Sequence, residues 1–361
     1  MEIIKFIQNN LDWENVITEA PYFIKVKRLE NYVLLKYDQI RSDFNLQIVR
    51  ECRGIIFDES DRYRPVCVPF FKFGNYGESY VPDIDWATAV VQEKMDGSII
   101  KLWHNRDIWH VSSNSEIDAR KAKISSVFIE GQGKTDLCTL FWKAWQDTGV
   151  VLSALDPAFT YLFELTSPYN RVVVRYPMLS IWHIGARNNT TFEERELNIG
   201  IPKPRRFDMH NLDEVIEAAQ SLDDNEEGFV IVDGFYQRVK VKSPKYVLLN
   251  HMVQGISTEK HIITLIIENE QKEFLSYFPE YESIISCTEE RINSFCVALN
   301  REVKAILAMR FSDRKSMAAV VTKTRCPACI FAILDGKNAS PREWLFGRPP
   351  GRISELISAQ V

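Results

Sequence analysis

Several features that classify a chain at sight are missing from these 361 residues. No apolar run approaches the ~20 residues that a membrane-spanning helix needs, so no membrane partner is expected. Positive charge is not in excess: 44 Lys and Arg face 49 Asp and Glu, a formal net charge of −5. A global positive field is thereby excluded, and any footprint for a polyanion must be local. Internal repeats and low-complexity linkers are absent, which sets aside solenoids and tethered arrays. The opening MEIIKFIQNNLDWEN has no cationic stretch followed by an apolar one, so no secretory leader is expected. Seven cysteines, odd in number and scattered, argue against a disulfide framework and for reduced thiols in a cytoplasmic setting. Cys326 and Cys329, in RCPACIFAIL, are the one close pair. A structural zinc needs about four ligands, and neither His nor a second cysteine pair is near in sequence. Two cysteines on a buried helix are expected instead.

What is present is a chain rich enough in apolar residues to fold, with 45% hydrophobic and 12% aromatic content. Up to about residue 250 the runs are short and strand-like: RGIIF, AVVQEK, SIIKLWH, YLFEL, RVVVRY, LSIWHIGA, EGFVIV and RVKVK. Helical spacing interrupts them at 135–148 and 211–221. After SPKYVLLNHM strand signals fade, and EKHIITLIIENEQKEFLSYF and EERINSFCVALNREVKAILAMRF read as amphipathic helices. The pattern predicts an α+β body over 1–252 and an all-helical domain over 253–361.

The strongest local signal is Lys94-Met95-Asp96-Gly97, between AVVQEK and SIIKLWH. Asp-Gly between two strand patterns predicts a tight turn, with Lys94 at a strand end where its amine can face a pocket. Alone, such a string is more often a solvated hairpin tip. About seventy residues later Glu164 ends an apolar strand in FELTSPYNRVVV, and Glu226-Glu227-Gly228 abuts another. In Arg238-Val239-Lys240-Val241-Lys242, period two sends the three cations to one face of a strand. That face is either a solvated edge or a phosphate clamp, since a polyphosphate would relieve the like-charge repulsion. Arg53-Gly54 opens another strand, and Lys72-Phe73-Gly74-Asn75-Tyr76-Gly77-Glu78 mixes a cation with aromatics and glycines.

In this order the segments resemble the covalent nucleotidyltransferase superfamily of ligases and mRNA-capping enzymes. Within it LLKYDQI, ECRGIIF, FFKFGNYGE, KMDGS, FELTSPYNRVVV, EEGFVI and VKVKSPKYV look most like the T-even-phage RNA ligase family. The resemblance implies a ligase-type nucleotidyltransferase domain of antiparallel sheets with flanking helices, followed by a helical domain that helps choose the RNA. It implies ATP as AMP donor, Mg2+ (or Mn2+), and RNA with 5′-phosphate and 3′-hydroxyl ends. An end-healing kinase or phosphatase would act upstream. Lys94 corresponds to the nucleophile that takes AMP, with Asp96 and Gly97 completing its motif. Tyr37, Arg53 and Lys72 correspond to residues around the bound ATP, and Glu164 to the carboxylate on the ribose. Glu227 corresponds to the acid near the metal and the reacting phosphate, and Lys240 and Lys242 to the pair that grips the phosphates. Glu164 and Glu227 are expected to hold the metal through water. One departure stands out: a basic residue that the family carries in a strand after the nucleophile motif is replaced here by Asn114.

Two rivals use the same residues differently. A DNA ligase or capping enzyme shares the lysine chemistry but usually carries a small β-barrel after the last motif, where this chain reads as helix. A catalytically inactive relative serving as an RNA-binding module would not need the essential-type positions kept, and all but the one at Asn114 are occupied by the expected residue. Gly131-Gln132-Gly133-Lys134-Thr135 imitates the end of a phosphate-binding loop, but Phe128 stands where that pattern needs glycine. His183 and Trp182 are expected in the core, and Arg187 is a weak candidate contact to nucleotide or RNA.

Overall fold

The computed structural model describes residues 1–124, 135–223, 225–253, 258–277 and 279–358. Contacts divide the chain into two units, Met1–Val253 and Gln254–Val361.

In the first unit a four-stranded antiparallel sheet runs Ile24–Leu29, Tyr32–Tyr37, Arg53–Asp58 and Arg64–Cys67 in spatial order. One face packs Val33, Leu35, Ile55 and Phe57 against the helices Glu2–Asn9, Trp13–Thr18 and Gln47–Glu51. Strand-like runs dominate this stretch of sequence and these short helices escaped notice. They are held by tertiary contacts: the buried carboxylate of Glu51 accepts the backbone N–H of Ile3 at 2.9 Å and of Glu2 at 3.1 Å. A carboxylate placed on the free amides of a first helical turn also meets the positive end of the helix dipole.

The other face of that sheet sets Leu34, Ile56 and Cys67 against Trp103 of a second sheet. This second sheet orders Glu194–Arg195, Ser180–Asn188, Phe159–Thr166, Ser98–Asn105 and Ile108–Ser113, all antiparallel. The helix Leu137–Thr148 covers it, burying Phe141 and Trp145 on Ile100, Phe163 and Leu165. Its start is fixed by Asp136, whose carboxylate accepts the Thr139 N–H at 2.8 Å, and its end by Gly149 at φ 70°.

A third sheet orders Arg206–Phe207, Val90–Glu93, Gly228–Val232, Arg238–Lys242 and Gly74–Asn75. Its last pair is parallel and the rest are antiparallel. The helix Leu212–Ser221 packs Val215 and Ala219 on Phe229, Ile231, Val239 and Val241.

Two local expectations are corrected. Val90–Glu93 and Ser98–Asn105 lie in different sheets, so Lys94–Gly97 is a crossover between sheets and not a tight hairpin turn. RVVVRY is not a strand. Its amides at Val173 and Val174 donate to the Asp96 carboxylate at 2.9 and 2.8 Å, so a side chain replaces the neighbouring strand as their partner.

The described part of the second unit is helical: Thr258–Glu268, Gln271–Tyr277, Glu282–Ala308, Arg314–Val321, Pro327–Leu334, Pro341–Phe346 and Pro350–Ser358. Thr258–Glu268, Glu282–Ala308 and Pro350–Ser358 pack on one another, burying Ile262, Ile266, Ile292, Leu299 and Ile353. Cys326 caps the helix Pro327–Leu334 and Cys329 lies within it, both buried. All seven cysteines are unbridged. No described helix is long and apolar enough to cross a membrane.

Candidate active site

The site forms where the second and third sheets meet. The Lys94 N–H donates to the Gly228 carbonyl at 2.8 Å, extending the ladder of Val90–Glu93 one residue past its end. The side chain of Lys94 is thereby set beside Glu227, which directly precedes the partner strand. Its Nζ lies 2.5 Å from Glu227 Oε1. Glu227 is 5% exposed, and its Oε2 is buried with no hydrogen-bond partner. Gly228 is required here: it has φ 146°, and a Cβ would strike the Val241 carbonyl oxygen. Gly97 is required for a different reason, because a Cβ there would strike the Leu165 carbonyl oxygen across the crossover.

A cavity of about 210 Å3 opens in front of Lys94, walled by Arg53, Glu164, Glu227, Lys240 and Lys242 among others. Phe73, Met95, Ile99, Ile184 and Val230 supply its apolar surface. The strand Arg238–Lys242 lies between Gly228–Val232 and Gly74–Asn75, so it is no solvated edge, and its valines are buried while its cations face the cavity. Arg238 is neutralised by an ion pair to the buried carboxylate of Glu194. Arg53 and Lys240 approach the Phe73 ring to 5.2 and 5.4 Å of its centre. Burial pushes the Glu164 carboxyl up to about 8; Lys94 opposes the shift and the charge on Glu227 adds to it. Burial also raises Glu227, again with Lys94 opposing. Two carboxyls crowded around one ammonium do not both ionise readily.

The remaining motif residues sit around this cavity without lining it. Asp96 is 4% exposed. Besides the Val173 and Val174 amides, its carboxylate accepts the Tyr246 hydroxyl at 2.9 Å, and its own N–H donates to the Tyr176 hydroxyl at 3.1 Å. These bonds tie three of the motif segments together at the crossover. Tyr37 and Lys72 form a separate cluster: the Lys72 ammonium lies 4.6, 5.6 and 5.8 Å from the ring centres of Phe44, Tyr37 and Tyr80. Lys72 faces an adjoining groove.

Asn114 presses its backbone against Gly54, which has φ 85° and where a Cβ would lie 2.5 Å from the Asn114 carbonyl oxygen. Its carboxamide oxygen is buried without a partner. The neighbouring strand brings Lys101 to this position, fully buried and donating to the Gly54 carbonyl. Burial pushes that ammonium down to about 8. Lys101 was missed because SIIKLWH reads as a strand with one outward-facing cation. Phe73 was legible as an aromatic beside Lys72, but nothing in sequence says which ring walls the cavity.

His183 is a buried core residue, pushed down to about 4 by burial. Trp182 is not in the core: it pairs across from Glu164, half-buried, its Nε1 donating to Thr166 Oγ1 at 3.1 Å. Gly131 to Lys134 lie outside the described residues. No cluster of three or more His, Cys, Asp or Glu suited to a metal occurs among the described residues.

The T4-type RNA ligase family model matches residues 51–246, which contain this entire cavity. The chain belongs to the RNA ligase family. A protein of Autographa californica nuclear polyhedrosis virus, provisionally named as a bifunctional polynucleotide kinase/RNA ligase, is 28% identical, matching 75% of this chain and 41% of its own length. This chain thus spans less than half of that relative. An RNA ligase of Rhodothermus phage RM378 is 25% identical over 66% of this chain and 68% of its own. An archaeal ATP-dependent RNA ligase superposes with a TM-score of 0.45 at 14% identity, covering 88% of each chain.

Proposed function

We propose that the protein is an ATP-dependent RNA ligase that joins 5′-phosphate and 3′-hydroxyl ends through AMP carried on Lys94. The observation that supports this most is the pairing of the Lys94 amine with Glu227 inside a cavity also walled by Arg53, Lys240 and Lys242. In the first step the Lys94 nitrogen attacks the α-phosphorus of ATP, a P–N bond forms, the P–O bond to pyrophosphate breaks and the amine gives up a proton. Arg53, Lys240 and Lys242 take up charge on the phosphates, a stabilisation that grows as the leaving group departs. In the second step an RNA 5′-phosphate oxygen attacks the same phosphorus, and Lys94 leaves as the amine, regaining its proton. In the third, a 3′-hydroxyl attacks the activated end and AMP departs.

The donor set fits a divalent cation, Mg2+ or Mn2+. Glu227 Oε2 is buried and unpartnered, and Glu164 lies in the same cavity. When bound beside phosphate oxygens, such an ion would neutralise their charge. Asp96 and Gly97 hold the crossover that aims Lys94. The helical unit is read as an aid to RNA choice, carrying exposed Arg301, Lys304, Arg310 and Lys315. The name of the baculovirus relative pairs a kinase with a ligase, which supports an end-healing step upstream of this protein.

The test is incubation with α-labelled ATP and a divalent cation, followed by a chase with 5′-phosphorylated RNA or DNA. A covalent protein–AMP adduct that disappears in Lys94→Ala and discharges onto RNA supports the reading. Discharge onto DNA alone points to a DNA ligase, and no adduct at all to an inactive RNA-binding relative.

A further inference from the structure

Beside the lysine cavity runs a larger groove, about 800 Å3, and the two share Phe73 and Arg238 as a common wall. Its walls carry the cations Arg50, Lys72, Arg187 and Arg238 against the carboxylates Glu193 and Glu194, four charges against two. The Arg187 guanidinium lies 3.9 Å from the centre of the Phe71 ring, and it donates to the Phe192 and Pro69 carbonyls at 2.8 and 3.1 Å. At the rim, the turn between Gly228–Val232 and Arg238–Lys242 presents Phe235, 75% exposed, and Tyr236, 38% exposed. Hydrogen bonds brace this turn. The Asp233 carboxylate accepts the Phe235 and Gln237 amides at 3.0 and 2.9 Å, and the Gly234 N–H donates to Thr88 Oγ1 at 2.9 Å. Tyr236 sits at φ 60°, where glycine or asparagine would be less strained.

We infer that this groove takes the single-stranded RNA end whose 5′-phosphate is to be activated, with a base stacked on the Phe235 platform. Three observations converge on that occupant. A large ring exposed on a hydrogen-bonded turn buries little on folding and is well placed for stacking, which any base accepts. The cationic excess along the groove suits a phosphate backbone. The groove shares Arg238 and Phe73 with the cavity that holds Lys94, so a strand lying in it has its end beside the reacting centre. A 5′-phosphate, unlike a 3′-hydroxyl, gains from arriving among the cations Arg53, Lys240 and Lys242. This inference rests on the ligase reading given above for the Lys94 cavity.

The test uses the full chain and a 5′-phosphorylated RNA oligonucleotide of roughly ten nucleotides, a length that one such platform and groove can engage. Phe235→Ala, on an exposed side chain, should weaken RNA binding measured by fluorescence anisotropy and slow single-turnover AMP transfer to RNA, each by ~10-fold. Formation of the lysyl–AMP adduct should stay within about twofold of the parent, since the stacking lost belongs to RNA and not to ATP. Phe235→Trp should restore binding and transfer. Parent-like RNA binding and transfer in Phe235→Ala would overturn the inference, as would an equal loss in adduct formation. If the parent formed no adduct yet Phe235→Ala still lost RNA binding, the ligase reading would fall and the RNA groove would stand.

Discussion

The amine of Lys94 lies 2.5 Å from Oε1 of Glu227, while Oε2 of the same carboxylate is buried with no hydrogen-bond partner. An amine held in that pair is not free to attack phosphorus. From sequence, Lys240 and Lys242 appeared as the charges that grip the phosphates; the structure adds a carboxylate paired with the amine itself. On the proposed reading, a triphosphate with its cation would give Glu227 a new partner and free the lysine beside its target.

Glu227→Gln keeps the shape and removes the counter-charge. The expected result is a loss of lysyl–AMP formation of about two to three decades, the typical effect of removing one electrostatic group from a reacting centre. The unliganded variant should also label faster at Lys94 with a small amine-directed reagent. Slower labelling would mean that Glu227 does not restrain the amine.

The three cations of Arg238–Lys242 should separate by mechanism. Lys240→Ala and Lys242→Ala lower adduct formation by about two decades with little change in melting temperature. Arg238→Ala instead strands the buried Glu194 carboxylate, a loss of about 3 kcal/mol in stability. Adding Glu194→Gln to Arg238→Ala should recover most of that loss. Thermal unfolding and adduct assays on the four proteins decide it; a destabilised Lys240→Ala with Arg238→Ala unchanged would reverse the assignment.

Period-two alternation showed the cation face of Arg238–Lys242, and helical spacing showed Leu137–Thr148 and Leu212–Ser221. Both are local regularities set by one element burying one face. The crossover at Lys94–Gly97 was not legible, because Asp-Gly has the same local chemistry in a hairpin and in a link between sheets. RVVVRY misled for a related reason. Its β-branched residues satisfy strand propensity, but the partner of its amides is Asp96, some eighty positions earlier in the chain. Motif order identified Lys94, Glu164, Glu227, Lys240 and Lys242 as companions, and the cavity brings them together with Arg53. The separation of Tyr37 and Lys72 into an aromatic cluster depends on ring placement, which sequence does not carry.

Asp96 tests positioning against chemistry. Tyr246→Phe removes one donor to its carboxylate and should lower stability by about 1.5 kcal/mol, with adduct formation nearly kept. Asp96→Asn keeps one acceptor oxygen but sets its NH2 either on the Val173 and Val174 amides or on the Tyr246 hydroxyl, so it should lose about 2 kcal/mol and slow adduct formation together. A variant with parent stability and no adduct would show instead that Asp96 acts on the reacting groups.

The Glu164 carboxyl carries the sharpest pH signature. Its folded value is pushed up to about 8 by burial, against an ordinary glutamate near ~4.3. Between those values the unfolded chain has released the proton that the native state still holds. The native state therefore binds more protons, and stability must fall as pH rises through this window, levelling off above the folded value. His183, pushed down to about 4, works in the opposite sense below its ordinary value near ~6.5, but it is common to parent and variant and cancels in their difference. Glu164→Gln has nothing to titrate there, so its melting temperature should decline less than the parent's between about pH 5 and 8. The same proton has a second readout. Binding of a divalent cation with ATP favours the ionised carboxylate, so the parent should release protons on binding at pH 7, measurable by calorimetry in buffers of different ionisation heat. Glu164→Gln should release fewer. Identical pH slopes and identical proton release in the two proteins would show that Glu164 is already ionised in the unliganded cavity, and that Glu227 does not share its site with a second, protonated acid.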